Sequence, residues 1–316
     1  MEAASHCDKV RRAVASNSGA AASAVVASWC RSALKFGLDP AADPRNELLS
    51  GAELTKAREL NAPLLCSARP VLDGLFRAIG KAGCCVVLTD ADGLILESRT
   101  SDGDSQYFEA ANLTSGAHWS EALEGTNGIG TCLSEGRALT IHRDQHFRAR
   151  NIGMSCTNAP IFNATGSIAA ALDVSSCRSD YDGAMVAMVT ALVIDAAQQI
   201  ERYHFCQSFS HARIIYIPSG NAAGSALLAI DRDDLILGAT RTARDIFCIT
   251  DAQIDASIPV STVIDQSSSP ADFSDAERKA LRQALASTGG NATRAAQHLN
   301  ISRATLYRKL KKSQLI

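Results

Sequence analysis

The sequence predicts an α+β domain, in which helices flank an antiparallel sheet, followed by a small all-α domain at the C-terminal end. Three observations support this prediction. Pairs of strand-like segments recur between residues 84 and 176, a long apolar helix follows at 181–205, and short amphipathic helices occupy residues 275–312. The first two observations define the α+β domain, and the third defines the all-α domain.

Composition and charge support the same division. The 316 residues suffice for about two domains, and 46% apolar with 20% charged residues is a globular composition. The net charge of −2 hides an asymmetry, because residues 275–316 hold nine Lys/Arg and two Asp/Glu and the remainder carries −9. A C-terminal segment with a net charge of +7 indicates nucleic acid as its partner.

The expected location is the cytosol. The longest apolar run, 184–194, is far shorter than the ~20 residues of a membrane-spanning helix, so no membrane segment is expected. Glu2, His6 and Asp8 precede any apolar run, which argues against a secretory signal. The ten cysteines are scattered without a CxxC pair. They are expected to be reduced thiols, mostly buried, and neither a metal nor another cofactor is predicted.

The α+β domain begins with a predicted helix at 71–83. A buried strand at 84–90, a turn at 91–93 and a return strand at 94–99 then form the pattern of a β-hairpin. A short helix is expected at 119–123. Together these segments supply one edge of the predicted sheet and part of its helical cover.

The remaining strands of the domain follow a glycine-rich segment. A strand is predicted at 138–142, and two more lie within 156–176, on either side of a turn at 163–166. The apolar segment 181–205 predicts a long helix with apolar positions on most faces. Strand pairs with flanking helices are typical of an α+β sheet domain.

The glycine-rich segment EGTNGIGT (124–131) superficially resembles a phosphate-binding loop. No lysine follows it as a P-loop requires, and the spacing of a dinucleotide-binding turn is absent. The preferred interpretation is a backbone turn that lines or latches a pocket. Its glycines permit positive φ, and Asn127 can bond to its own backbone.

His142 and His146 lie four residues apart with Asp144 between them. On a helix the two imidazoles could share a metal, with Cys132 or Cys156 completing the site. The segment instead runs from a predicted strand into a loop, so the spacing loses its helical meaning. A polar pocket wall is therefore preferred over a metal site.

The first helix of the all-α domain is predicted from 275 to about 288. Ser274 is a suitable N-cap, and Glu277 three residues later completes a capping box. Leu281 and Leu285 lie four residues apart and form one apolar face. Glycines at 289–290 then supply the C-cap.

Two shorter helices follow and are joined by a tight turn at 300–301. Asn291 caps a helix at 292–299, and Ser302 caps a helix at 303–312. Leu306 and Leu310 point inward from the last helix, so its polar and basic side chains face outward. A short helix with donors on one face fits the major groove of DNA, and cationic flanks suit phosphates.

The string GGNATRAAQHLNISRATLYRKLKK (289–312) resembles the C-terminal Fis-type helix-turn-helix of bacterial transcription factors. The Asn cap, paired alanines, Ile turn and LYRKL body all occur in the register of that motif. The resemblance implies a homodimer that binds two half-sites of double-stranded DNA. It implies the following DNA-binding residues: base-edge or nearby backbone contacts from Ser302, Arg303, Thr305, Tyr307 and Arg308; mainly phosphate contacts from Arg294, Lys309, Lys311 and Lys312; and Asn291 at the helix start.

Strings across residues 27–205 resemble the GAF sensor domain of the acetoin-catabolism and dihydroxyacetone-kinase operon activators, which belong to the sigma-54 class. These strings are SWCRS, GLDP, LLSGAEL, RELNAPLL, VVLTDADGLIL, EGTNGIGT, HRDQHF, API and GSIAAALDVS. The resemblance implies a pocket for an unknown small-molecule effector. Its candidate residues are Glu124, Thr126, Asn127, Ile129, His142, His146, Cys156 and Asn158.

The predicted domain boundaries follow from these matches. Residues 1–205 form the N-terminal helices and sensor, and 275–316 form the helix-turn-helix domain. Between them, 206–265 is a connector in which 226–247 resembles the opening of a PAS-like segment, with strand, turn, strand and helix. Residues 266–274 are polar, contain a proline and are expected to be a flexible linker.

One departure from the resembling activators concerns ATP. They carry an AAA+ ATPase domain between sensor and helix-turn-helix, whereas this chain has no GxxxxGK[ST] motif and no room for such a domain there. The chain is therefore expected to act without ATP hydrolysis. If it regulates transcription, it would do so by recruiting or blocking other proteins, by bending DNA, or by modulating a full-length relative.

Three functional hypotheses follow from the sequence. The first is a DNA-binding regulator that dimerises through the helix at 181–205 and an N-terminal helix at 10–26. The second is an adaptor that acts mainly through protein partners such as RNA polymerase. The third is an enzyme, which is disfavoured because no acid–base pair stands out. Its candidate pairs would combine His142 with Cys84, Cys132 or Cys156.

Overall fold

The computed structural model describes residues 2–16, 23–43, 47–217, 224–264, 277–278, 280–282, 284–285 and 288–313. The chain divides into two compact units, Met1–Ile258 and Pro259–Ile316. The first is an α+β unit with antiparallel sheets, and the second is all-α within the described residues. Both parts of the predicted fold class are confirmed at this level. The predicted linker 266–274 and the Ser274 cap lie outside the described residues.

The α+β unit begins with two helices, α1 (Glu2–Ala15) and α2 (Ala24–Cys30), and α2 continues as a π-helical turn over Arg31–Lys35. The single helix predicted across 10–26 was wrong. A second helix starts at Ser23, whose side chain accepts a hydrogen bond from the backbone N–H of Val26.

The apolar side of α1 packs within its own unit. Val10 of α1, Trp29 of α2 and Phe147 from a later loop are each no more than 3% exposed and lie in one cluster. Burying these side chains removes apolar surface from water. The same surface is therefore not available for dimerisation as the sequence suggested.

Two further helices, α3 (Gly51–Leu60) and α4 (Ala62–Ile79), precede the sheet. α4 begins before the predicted helix at 71–83 and passes through Pro70, although proline removes one helical hydrogen bond. Leu65, Ala68 and Leu72 are buried at helical spacing on both sides of the proline. Burial of this continuous apolar face explains why the helix does not end there.

The central sheet is antiparallel and five-stranded, in the order β2-β1-β5-β4-β3. Its strands are β1 (Cys84–Thr89), β2 (Ile95–Arg99), β3 (Leu139–His142), β4 (Ser155–Phe162) and β5 (Ile168–Ser176). All the predicted strands are confirmed. The chain-distant strands β1 and β5 are paired in the centre, where Val86 lies opposite Val174.

Different helices flank the two faces of the sheet. On the outer face, α4 and α8 (Gly183–Ser208) share one apolar cluster with side chains of β1, β4 and β5. On the inner face lie α5 (Ser105–Ala110), α6 (Glu121–Glu124) and α7 (Gly128–Glu135). The inner face carries Cys85, Cys156 and Ala171, together with polar residues described below.

Among the described residues, α8 alone is long and apolar enough to cross a membrane by length and composition. The expectation of no such segment was too simple, since it counted only an uninterrupted apolar run. Core helices meet the same criterion. Val189, Val193 and Ile200 are each 0% exposed in the outer-face cluster, which is the arrangement of a core helix.

A second, three-stranded antiparallel sheet follows α8 in the order β6-β7-β8. Its strands are β6 (Arg213–Ile217), β7 (Ala226–Ile230) and β8 (Ile236–Ala239), and it is followed by α9 (Arg241–Phe247) and α10 (Asp251–Asp255). The strand, turn, strand and helix predicted within 226–247 are present. The preceding strand β6 was not predicted.

The second unit contains α11 (Ser261–Ile264), helical residues between 277 and 285, α12 (Ala292–His298) and α13 (Arg303–Lys312). Leu281, Ala295 and Leu306 come from the last three helices and meet in one buried cluster. The small alanine side chains allow close helix crossing, as the sequence predicted.

Gly130 in α7 tests the close packing of α7 against α6. A Cβ atom added at Gly130 would lie 2.3 Å from the backbone N of Glu121 and 2.8 Å from the carbonyl O of Trp119. Backbone cannot move aside cheaply, so Gly130→Ala should lower the free energy of unfolding by about 1–3 kcal/mol. Urea unfolding measures the change.

Gly74→Ala in α4 is the matched control. A Cβ atom there would meet only the guanidinium of Arg77, at 3.9 Å. Alanine favours a helix interior, so this variant should gain up to about 1 kcal/mol. Equal destabilisation by both substitutions would contradict the close approach of α7 to α6.

Candidate functional site

The C-terminal unit presents α13 through local capping bonds. The side-chain oxygen of Asn291 accepts from the backbone N–H groups of Thr293 and Arg294, at 3.1 and 3.2 Å. Ser302 Oγ accepts from the Thr305 N–H at 3.1 Å and starts α13. Asn300 adopts φ +51° in the turn between the two helices. Both caps predicted from the sequence are confirmed.

Leu306 and Leu310 are buried, which turns the opposite side of α13 to solvent. Five of the candidate DNA-binding side chains are exposed on this helix: Arg303, Tyr307, Arg308, Lys311 and Lys312. Arg303, Tyr307 and Lys311 follow one another at intervals of four residues and so share one side of the helix. The Arg303 guanidinium lies 5.6 Å from the centre of the Tyr307 ring, so the two side chains form a cation–π pair. Arg294 is exposed on α12.

Two other candidates are engaged inside the unit. Lys309 forms a salt bridge with Glu277 and is only partly exposed, and its phosphate contact stays a prediction. This ion pair lowers the pKa of Glu277. The Thr305 hydroxyl lies 2.8 Å from Ser302 Oγ and takes part in the helix start. The sequence pattern alone did not predict that Lys309 pairs with Glu277 or that Thr305 contacts Ser302.

In the α+β unit, the segment 124–131 is half turn and half helix. The predicted Asn127 bonds are present: Asn127 Nδ2 donates to the Gly125 carbonyl, and its Oδ1 accepts from the Gly130 N–H, both at 2.8 Å. This cap starts α7 at Gly128, so the expectation of a turn throughout was wrong. Gly125 has φ +68°, which suits glycine.

Glu121 anchors the start of this region from α6 and is 3% exposed. It accepts hydrogen bonds from Ser28, from Arg31 at 2.9 and 3.1 Å, and from Thr131 at 3.2 Å. Thr126 lies 2.7 Å from Ser28 Oγ in the same polar cluster. Thr126 was among the candidates predicted from the sequence, whereas Glu121, Ser28 and Arg31 were not. Ser28 and Arg31 lie far from Thr126 along the chain, and Glu121 lies five residues before it.

Glu124 is also a structural residue. It is 2% exposed and forms an ion pair with Arg150, whose Nη2 lies 2.6 Å from both carboxylate oxygens. Nearby, the buried Arg148 guanidinium donates to three backbone carbonyls, those of Asp39, Ala42 and Leu123. Glu124, Thr126 and Asn127 therefore organise the loop, and their polar groups face protein partners.

The two candidate histidines have different surroundings. His146 is fully buried, with Nδ1 2.9 Å from the Arg143 carbonyl and Nε2 3.4 Å from Cys156 Sγ. Burial lowers its pKa to about 4, so the imidazole is neutral at pH 7. His142 instead contacts Ser155, and it borders a separate open cleft of about 880 Å³ shared with Lys9 of α1.

This arrangement does not support the metal site or the nucleophile pairs that the sequence analysis weighed and disfavoured. The described residues contain no group of three His, Cys, Asp or Glu that could hold a metal. Cys156 lies against His146 rather than His142. Burial raises the pKa of Cys84 to about 11 and also raises those of Cys132 and Cys156. Thiols at such sites are protonated and poorly nucleophilic at neutral pH.

The inner sheet face also holds a buried polar pair, of which only Asn158 was predicted from the sequence. Asn158 of β4 lies opposite Asp173 of β5, and both are no more than 1% exposed. Ser175 Oγ donates to Asp173 Oδ2 at 2.7 Å. Among the described residues, Asp173 Oδ1 and both amide atoms of Asn158 have no partner in good hydrogen-bond geometry. Asp173 is a lone acid in the apolar string IAAALDVSS, and this signal could have identified it.

Burial raises the pKa of Asp173 to about 7, although Ser175 and Asn158 act in the opposite direction. Seven candidates thus lie buried at or around α7, namely Glu124, Thr126, Asn127, Ile129, His146, Cys156 and Asn158, whereas His142 lies outside this group. Ile129 packs in the apolar cluster with Cys156. Among the described residues, Asp173 and Asn158 are two buried polar groups of this core whose side chains keep atoms without a partner in good hydrogen-bond geometry.

The two units together define a bacterial regulatory protein with a C-terminal helix-turn-helix. The family described as "Bacterial regulatory protein, Fis family" matches residues 273–312, which confirms the predicted motif. The family described as "MimR, N-terminal domain" matches residues 3–202. The chain therefore belongs to the MimR N-terminal domain family.

Named relatives agree with this assignment. The acetoin catabolism regulatory protein of Cupriavidus necator is 30% identical over 221 residues, covering 69% of this chain and 33% of the relative. The propane 2-monooxygenase operon transcriptional activator MimR of Mycolicibacterium smegmatis is 33% identical over 143 residues, covering 45% of this chain and 23% of the relative. The predicted resemblance to acetoin regulators is confirmed. The chain spans about a third of the length of the curated relatives that it matches first.

A solved structure supports the fold. The crystal structure of the Escherichia coli DhaR(N)–DhaL complex contains a chain that superposes with a TM-score of 0.53 at 13% identity. The match covers 82% of this chain and 86% of that one. At this identity the likeness concerns the fold alone.

Asp173 gives a pH-dependent prediction. The unfolded carboxyl ionises near its ordinary pKa of 3.8, whereas the folded one stays protonated to about pH 7. The buried acid therefore destabilises the fold progressively as pH rises from about 4 to about 7, and Asp173→Asn should remove that loss. Stability at pH 8 should rise by up to ~4 kcal/mol relative to wild type, with little difference at pH 3.

Urea unfolding across this pH range provides the measurement. Asp195→Asn is the matched control, because Asp195 is exposed on α8. It should leave the slope of stability against pH unchanged. A parallel pH dependence in wild type and Asp173→Asn would contradict the buried, uncompensated state of Asp173.

Proposed function

We propose that this protein is a sequence-specific DNA-binding transcriptional regulator, in which a GAF-type sensor unit controls the Fis-type helix-turn-helix. The observation that carries the proposal is the cationic exposed face of α13 within a Fis-family match. Arg303 and Arg308 suit base edges, and Lys311, Lys312 and Arg294 suit phosphates. We assign the sensor to residues 1–205, the connector to 206–265, the linker to 266–274 and the DNA-binding domain to 275–316.

The regulator is proposed to respond to a small-molecule effector and to act without ATP hydrolysis of its own. Only residues 203–272 separate the two family matches, and the chain has no GxxxxGK[ST] motif. Control would then arise by recruiting or blocking other proteins at the promoter. We assign the protein to the cytoplasm, without a membrane partner and without catalytic activity.

An adaptor function is the second candidate. The Escherichia coli DhaR(N) chain, which has a similar fold, was crystallised in complex with a second protein, DhaL, and this favours the use of such units as protein-binding modules. In that case the sensor unit would bind a regulator or RNA polymerase, and weak DNA binding would only position it.

The DNA-binding proposal predicts unequal effects of single substitutions in α13. Arg303→Ala and Arg308→Ala should each weaken binding to a duplex selected from a random pool by about tenfold or more, with less effect on unselected DNA. Lys312→Gln should weaken both equally and reduce the slope of log K against log salt by about one. Fluorescence anisotropy at several salt concentrations measures these effects.

Lys309→Gln is the matched control for Lys312→Gln. Because Lys309 is paired with Glu277, Lys309→Gln should lower the thermal stability of the protein. It should change the slope of log K against log salt less than Lys312→Gln does. Unchanged DNA affinity in both arginine variants would reject α13 as the recognition helix and favour the adaptor.

The proposed homodimer is predicted to use α8. Ala187, Met188 and Ala191 are exposed on one side of this helix, opposite the buried Val189 and Val193. Two linked DNA-binding domains raise affinity through effective concentration. Light scattering after gel filtration should give a dimer at micromolar concentration. Met188→Asp should shift it toward monomer, and the control Tyr216→Asp, at an exposed residue of β6, should not. A wild-type monomer would reject the dimer.

A further inference from the structure

A cavity of about 270 Å³ lies beside β4 and α8, and residues 136–138, which follow the end of α7, also line it. Its walls come from β4, from α8 and from the start of α9 in the connector. The volume is close to the lower end of small-molecule sites in proteins. None of the candidate effector-pocket residues lines it.

One wall of the cavity is apolar. Pro160 and Phe162 of β4 face Ile194 and Ala197 of α8 across the space. These side chains expose hydrocarbon to a half-enclosed volume, which favours a short apolar ligand body.

The other wall carries separated charges. Glu201 of α8 forms no ion pair among the described residues, and its Oε2 only accepts from the Phe162 N–H, at 3.4 Å. The Arg241 guanidinium of α9 lies over the Phe162 ring at 4.1 Å, with Asp245 Oδ2 3.9 Å from its Nε. Arg137 lines the cavity before β3. Its Nε lies 3.7 Å from Glu135.

The protonation of Glu201 is balanced near neutrality. Burial raises its pKa to about 7, while the Phe162 N–H and the Arg241 charge act to lower it. Arg137, Arg241, Asp245 and the amide of Gln198 are the charged or polar groups that share the cavity with it. A protonated Glu201 can donate to an anion, whereas the two guanidinium groups disfavour a cationic ligand.

We propose that this cavity binds a small, mainly apolar monocarboxylic acid as a ligand. The ligand carboxylate accepts from Arg241 and from a protonated Glu201, and its hydrocarbon part packs against Phe162, Ile194 and Ala197. The ligand would bridge the sensor sheet and α9 of the connector. The inference rests on the proposed effector-binding function and names a site and a ligand class for it.

The bound carboxylate and Glu201 would share a proton, as two carboxyl groups in one site cannot both ionise easily. Binding near pH 7 should therefore take up a fraction of a proton. An amine would release one instead, and a neutral amide would leave protonation unchanged.

Isothermal titration calorimetry of the full chain tests the proposal with 3-methylbutanoate, benzoate, 3-methylbutanamide and 3-methylbutylamine. Parallel titrations in phosphate and Tris report the proton uptake. The carboxylates should bind at least about tenfold more tightly than the amide or the amine, because the amide lacks the charge-assisted hydrogen bonds and the two guanidinium groups repel the ammonium.

Three variants assign the contacts. Glu201→Gln should abolish proton uptake while keeping a folded chain, and Arg241→Met should weaken carboxylate binding about tenfold or more while preserving contact with Phe162. Arg232→Met is the matched control, since Arg232 is an exposed arginine of the connector outside the cavity. It should bind as wild type. Melting curves of all variants verify folding.

Several outcomes would overturn the proposal. These are no binding by either carboxylate up to about 10 mM, equal binding of the amide, or undiminished binding in folded Arg241→Met. DNA binding is measured separately on the selected duplex. Carboxylate binding without any effect on DNA affinity would reject effector control but keep the site, whereas DNA binding without carboxylate binding would reject the site but keep the regulator.

Discussion

The hydrogen bonds and the ion pair of the buried Glu121 carboxylate form the interaction on which the N-terminal part of the α+β unit depends. It joins α2, through Ser28 and Arg31, to α7, through Thr131. With four donors around it, the charge is compensated inside the protein, which a buried ion requires. Because this cluster fixes α6 and α7 together, it also determines how α7 covers the inner face of the sheet. The N-terminal segment is thus part of the α+β unit.

Two other carboxyl groups are buried without such compensation. Asp173 lies on the inner face of the sheet, and Glu201 lies on α8 at the cavity beside the outer layer, and among the described residues neither forms an ion pair. Burial raises the pKa of each to about 7. Uncompensated acids lower stability, and groups that titrate near neutrality are frequent at functional sites. Because the two carboxyl groups lie apart, the unit has two separate sites at which a proton or a ligand can bind.

The net charge of −2 conceals opposite requirements in the two parts of the chain. The acidic N-terminal part repels phosphates and the basic C-terminal part attracts them, so the charges favour DNA contact at the C-terminal part. Within the C-terminal unit the charges also differ in use. Lys309 stabilises the helix packing through Glu277, while Arg303 and Arg308 remain exposed for a partner. The charged residues of the C-terminal unit therefore contribute both to its fold and to its proposed binding of DNA.

The sequence by itself determined the strands of the central sheet, the long helix α8 and the helix-turn-helix, because caps, turns and apolar periodicity act over a few residues. Asn291 and Ser302 are examples, since each bonds to a backbone N–H within three positions. Only the tertiary structure decided that Glu121 pairs with Arg31, that Cys156 meets His146 rather than His142, and that a cavity opens beside Glu201. These contacts form only when separate segments of the chain pack together, and local sequence patterns do not show which segments will meet.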